Sequence, residues 1–119
     1  MQPTPTNKLI DFLEHEVLSN SEISIAVDAH LNYLVVNDAA AKSLGRQSWE
    51  LIGSNIVELY PSIIASKNHR NLLKASNGEL IENDLVKNRL GELFVTTYQP
   101  IIIDHQVKAI IIVAKPYNG

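Results

Sequence analysis

Ile23-Ser-Ile-Ala-Val-Asp28, Tyr33-Leu-Val-Val-Asn37-Asp-Ala-Ala-Ala-Lys-Ser-Leu-Gly45 and Trp49-Glu-Leu-Ile-Gly53-Ser-Asn55 are the three stretches from which the fold is read. In the first, Ile23, Ile25 and Val27 alternate with Ser24, Ala26 and Asp28, the two-residue period of a strand with one buried face. Ala29-His-Leu-Asn32 supplies a turn, with Asn32 the residue best able to take a positive φ. Tyr33 to Val36 returns as a second strand. Asn37 then offers its side-chain oxygen to the first turn of a helix over Asp38 to Leu44, and Gly45 closes that helix as a left-handed terminator. Ser48 caps a further turn through Trp49, Glu50, Leu51 and Ile52, which Gly53 ends. Asn55 opens another, with Glu58 completing an Asn-x-x-Glu capping arrangement, and Pro61 stops it.

Working outward, Leu9, Ile10, Phe12, Leu13, Val17 and Leu18 recur at three- and four-residue spacing and predict a helix over Asn7 to Leu18. Its apolar face is wide for a segment outside the sheet. Leu9, Phe12, Leu13 and Val17 therefore have two readings, packing on their own domain or pairing with a second copy. Residues 1 to 6 carry two prolines and no periodicity, as expected of a mobile tail. On the other side, Ile63, Ile64, Leu72 and Leu73 predict one long helix over Ser62 to Ala75, ended by Asn77-Gly78. Three strands follow, Leu80 to Lys87, Leu93 to Ile103 and Gln106 to Lys115, joined by Asn88-Arg-Leu-Gly91 and Asp104-His105. Val107 to Ala114 is apolar almost throughout, which suits the centre of a sheet. Pro100 lacks an N–H and needs a bend or bulge.

A chain of 119 residues, 45% of them hydrophobic, is one domain with one core. A net charge of −3 with scattered basic residues argues against nucleic acid as a direct partner. Without cysteine there is no disulfide, thiolate metal site, thiol nucleophile or sulfur adduct. The longest apolar run, Ala109 to Ala114, is too short to cross a bilayer, and the cytoplasm is the plainer compartment.

This order of strand, turn, strand, Asn-capped helix and Gly45, with Trp49-Glu-Leu-Ile-Gly53 after it, resembles a PAS domain. The resemblance continues through Gly78, Gly91 and Pro100 to about Pro116. It implies an α+β fold, a five-stranded antiparallel sheet with short helices on one face, preceded by an N-terminal amphipathic helix. Residues 1–20 are then tail and helix, and 21–117 the sensor domain. Parallel ladders, or helices on both faces of the sheet, would count against it. PAS sequences commonly place an acidic residue and Gly in the first turn, where this chain has Ala29 to Asn32. The GAF domain, usually longer, is the second fold considered.

By resemblance, the chain is a sensory or regulatory module of bacterial signalling. It binds a small ligand or a partner protein, forms a homodimer through the N-terminal helix, and is coupled to a kinase or transcription-regulator output. No cofactor is specified. The light-sensing PAS subfamily carries Asn-Cys-Arg after the glycine matching Gly53; here Gly53-Ser54-Asn55-Ile56 puts isoleucine where the sulfur would be, so adduct photochemistry is excluded. Haem-binding members use a histidine on the long helix, but His69 lacks the aromatic neighbours of that subfamily.

No catalytic or metal site is read from the residues. His15, His30, His69 and His105 show no paired ligand spacing, Ser43 and Ser66 fall on helix surfaces without a strained elbow, and Glu79, Glu82 and Asp84 read as a solvated strand edge. The remaining candidate is the space between sheet and helices, with a lining drawn from Ile25, Val35, Ile52, Leu59, Leu72, Leu85, Phe94, Thr96, Tyr98 and Ile112. Phe94, Thr96 and Tyr98 share a parity and so a face. The alternative is a filled core in a pure protein–protein interaction module.

Overall fold

The computed structural model describes residues 7–88 and 90–118. The tail expected over residues 1 to 6, and Arg89 of the expected hairpin loop, lie outside the described residues. Along the chain run α1 (Asn7–Leu18), β1 (Ile23–Val27), β2 (Tyr33–Val36), α2 (Asp38–Leu44), α3 (Ser48–Leu51), α4 (Ile56–Leu59), a 3₁₀ turn (Pro61–Ala65), α5 (Lys67–Ser76), β3 (Ile81–Lys87), β4 (Leu93–Ile103) and β5 (Gln106–Pro116). The five strands form one antiparallel sheet in the order β2-β1-β5-β4-β3. The apolar strand β5 takes the centre, as its composition requires. Pro100 pairs with Ile110 immediately before the ladder shifts register at Ile101/Ile102, which is the irregularity a missing N–H needs.

Local chemistry sets the boundaries. The Asn37 side chain accepts from the Ala40 N–H at 2.9 Å to cap α2, and Gly45, at φ 70°, ends it with the Gly45 and Arg46 N–H groups bonded back to Lys42 and Ala41. Asn55 caps α4. Other details depart from the sequence reading. Gln47, not Ser48, stands at the start of α3, its N–H held by the Glu50 carboxylate at 2.8 Å. Pro61 follows the end of α4 as expected and also starts a 3₁₀ turn, since a fixed φ suits the first helical position. The expected long helix is broken at Ser66, whose hydroxyl accepts from the His69 N–H and begins α5 afresh. In the first hairpin the positive φ falls on Leu31, at 69°, not on Asn32. Asp28 pulls the turn tight by accepting from the His30 and Asn32 backbones and the Asn32 amide, while the Leu31 side chain is buried in the core.

Two apolar clusters lie on opposite sides of the sheet. On the inner face Val27, Tyr33, Val36, Tyr98, Ile110 and Ile112 pack against Ala40, Leu51, Ile56, Leu72 and Ala75 of the later helices. On the outer face Leu9, Leu13 and Val17 of α1 pack on Ala26, Val35, Ala109 and Ile111. The short helices are thus confined to one face, but α1 covers part of the other, an arrangement counted above as adverse to the fold. The antiparallel ladders and their order are unaffected, because α1 precedes the sheet and leans on it.

Candidate functional site

The inner face carries a hollow of about 130 Å³ near the free ends of β1 and β5, bounded by α2, α5 and the β3–β4 hairpin. Ile23, Ile25, Ile112, Ala114, Phe94 and Val86 give it apolar walls, and Ser43, Asn68, Thr96 and Tyr98 supply neutral polar groups, with Lys87 and Asn88 also lining it. Thr96 and Tyr98 are buried although polar.

Alternation along β4 brings Phe94, Thr96 and Tyr98 to the same side, and their partners across the ladder are Val86, Asp84 and Ile81. From α5, residues 67, 68 and 71 reach the same strands. The Tyr98 hydroxyl donates to Asn68 Oδ1 at 2.6 Å. The Asn71 amide donates to Asp84 Oδ2 at 2.8 Å, and Lys67 Nζ lies 2.9 Å from Asp84 Oδ1 and 3.1 Å from the Leu85 carbonyl. Hydrogen bonds from Lys67 and Asn71 hold the Asp84 carboxyl below the usual carboxylate range. Burial pushes the Tyr98 hydroxyl well above the ordinary tyrosine range, so it stays a neutral donor. The same cause raises Tyr33, where nearby Tyr60 adds to it.

Of the residues expected to line the site, Ile25, Phe94, Thr96, Tyr98 and Ile112 border the hollow. Leu72 is buried in the adjoining core and Leu59 packs against it. Three lie elsewhere. Val35 faces α1 on the outer side, because Val27 pairs with Tyr33 and Ala26 with Val35, leaving Leu34 as an extra residue in β2. Leu85 is exposed and Val86 points in, because a second irregularity between Ile81 and Asp84, with Asn83 at φ 54°, reverses the alternation. Ile52 ends α3 and is exposed, while its neighbour Leu51 takes the core. Sequence reasoning missed Asn68, Ser43 and Val86; Asn68 stands one position from His69 on the helix expected over Ser62 to Ala75.

The four residues expected at a dimer interface separate. Leu9, Leu13 and Val17 are buried against the chain's own sheet, and only Phe12 is exposed, at 46%. The self-packing reading of that stripe therefore describes three of the four. His69 does not line the hollow, and no cluster of three metal-ligating side chains occurs among the described residues. The hollow is well short of the roughly 300–1,000 Å³ of drug-sized ligand pockets, so haem or flavin does not fit it as it stands. A wider cleft, about 320 Å³, lies between the ends of α1 and α2. Its most buried polar residue, Asn37, is already bonded to Ser24, Ala40, Asn20 and Glu22. Among the described residues no helix is long and apolar enough to cross a membrane.

An antiparallel sheet of order 2-1-5-4-3, with short helices over a small half-polar hollow on one face, defines a class of α+β module. The family model described as the PAS fold matches residues 11–111, and the chain belongs to that family. The GAF alternative accordingly lapses. Among solved structures, the PAS domain of Bordetella pertussis BvgS is similar at a TM-score of 0.73 with 16% identity, covering 95% of this chain and 89% of that one. A domain of an HTR-like protein from Haloarcula marismortui is similar at 0.64 and 16% identity, covering 83% of this chain and 100% of that one. A domain of a sensory box sensor histidine kinase/response regulator from Geobacter sulfurreducens is similar at 0.59 and 17% identity, covering 95% and 99%. No curated protein matches the chain.

Proposed function

We propose that this domain is a non-catalytic sensory module that takes a small ligand in the inner hollow and passes the event through the sheet to α1, in a signalling protein with a kinase or transcription-regulator output. One observation carries the ligand half: a buried tyrosine and threonine, with an asparagine, stand beside the apolar walls Ile23, Ile25, Phe94 and Ile112, the pattern of placed polar groups that orient a bound molecule. The similarity to a domain of a sensor histidine kinase/response regulator supports the output half by fold analogy.

The route to α1 is short. In β1 and β5 successive residues face opposite sides, so Ile25 and Ile112 border the hollow while Ala26 and Ile111 lie under α1. A ligand that binds better to one seating of α1 than to another shifts the balance between them by that difference in affinity. Association with a second copy then falls to Phe12 and the outward side of α1, since Leu9, Leu13 and Val17 are engaged within the domain.

The competing reading, an interaction module with a filled core, is favoured by the small volume of the hollow. Native mass spectrometry of the freshly purified domain, with an absorption spectrum, discriminates them. A released small molecule supports the sensor; a bare polypeptide mass, with no thermal shift across a library of small metabolites, supports the interaction module.

A further inference from the structure

We infer that the ligand of the hollow is a small uncharged molecule with one hydrogen-bond acceptor and a short apolar tail, its acceptor held by the amide of Asn68. This rests on the ligand-binding reading above and specifies its chemistry. The volume, about 130 Å³, is less than half of the roughly 300 Å³ at which drug-sized ligand pockets begin, so a small molecule suits it.

Polarity follows from two directed hydrogen bonds. The Asp84 carboxylate accepts from the Asn71 amide, and the Tyr98 hydroxyl donates to Asn68 Oδ1. Asn68 Oδ1 accepts that bond, while its NH₂ donates to no acceptor among the described residues and is the donor left for the hollow. Asn71 is buried and its amide is committed to Asp84. The hollow thus presents a donor from Asn68 and the adaptable hydroxyl of Thr96, which together suit a carbonyl oxygen.

Charge on the ligand is disfavoured. Asp84, which accepts from Asn71, is paired with Lys67 at 2.9 Å and does not border the hollow. The one formally charged side chain of the lining, Lys87, is exposed at the rim, next in the strand to the inward-facing Val86. An ion would be desolvated without a buried counter-charge, whereas a neutral carbonyl loses only what Asn68 and Thr96 return. The tail lies along Ile25, Ile112 and Phe94. At the ceiling of binding per atom, a ligand of about six non-hydrogen atoms binds no tighter than about 0.3 μM.

The experiment is a two-dimensional NMR titration of the ¹⁵N-labelled chain with three probes of matched length: 2-pentanone, pentanoate and pentylammonium. Saturable shifts at the Asn68 side-chain amide and at Ile25, Thr96 and Ile112 with 2-pentanone, at least tenfold weaker with either ion, are expected. Asn68→Asp, which keeps the shape and removes the donor, is expected to weaken 2-pentanone at least tenfold, and Thr96→Val serves where the first variant does not fold. Tighter binding of either ion, or unchanged 2-pentanone affinity in a folded variant, overturns the inference while leaving a ligand site in place. No saturable shift at the hollow with any probe overturns it together with the ligand-binding reading.

Discussion

Asn37 ties together three parts of the fold. Its Oδ1 accepts from the Ser24 and Ala40 N–H groups, and its Nδ2 donates to the carbonyls of Asn20 and Glu22, so one side chain ties the end of α1, the start of β1 and the cap of α2. Replacing it with alanine removes a cap and strands buried backbone donors; Asn37→Ala is expected to cost about 2–4 kcal/mol in a urea titration. The opposite sign is expected at the tip of the last hairpin. Asp104 and His105 sit at φ 53° and 65°, the backbone of a two-residue turn that favours Asn-Gly. His105→Gly relieves a side chain held in the left-handed region and is expected to raise stability by about 0.5–1 kcal/mol, read as a higher denaturation midpoint.

At the scale of elements, α1 is an integral layer rather than a free arm. Leu13 is wholly buried between it and the sheet. Leu13→Ala is expected to cost about 2–5 kcal/mol through lost contact and a residual cavity. Phe12→Ala, on the exposed flank, is expected to change stability by less than about 1 kcal/mol. Equal costs for the two in thermal or chemical unfolding would mean that α1 is seated differently. The seat is not perfectly matched: the Ser24 hydroxyl, fully buried on the same strand as Ala26, has no hydrogen-bond partner among the described residues. On the other face, Lys67 and Asn71 of α5 grip Asp84 of β3. Because its folded pKa is depressed, the carboxylate contributes above the unfolded range near about pH 4 and loses that contribution as pH falls through the folded value. Asp84→Asn is therefore expected to flatten the acid limb of a stability–pH curve while changing its slope little at neutral pH.

For the whole molecule, the two central strands β1 and β5 serve two clusters at once, the helical one on the inner face and α1 on the outer. Side chains of the two layers thus alternate along shared backbones, so the hollow and α1 lie on either side of the same two strands. Burial of Tyr33 and Tyr98 gives this integrity an optical signature. Both hydroxyls are raised by desolvation, so the stability tied to their neutral forms is intact below about pH 10 and is lost as pH rises through the folded values. In an alkaline titration followed at 295 nm, these two rings are expected to ionise together with loss of structure, and Tyr98→Phe to remove one of them from that step.

The order of strands and short helices was legible before any coordinates because it is written in local chemistry. Period-two alternation, Asn37, Asn55 and Gly45 act within a few residues of themselves, and each chooses the backbone state of its own neighbourhood. The face to which a side chain turns was less legible. The extra residues Leu34 in β2 and Asn83 in β3 reverse the alternation beyond them, sending Val35 to the outer side and Val86, not Leu85, to the hollow. Apolar spacing alone showed that α1 had to bury Leu9, Leu13 and Val17, but not against what. Only the tertiary structure decided that, because the hydrophobic effect has no direction and an apolar stripe accepts whichever matching surface the fold brings to it.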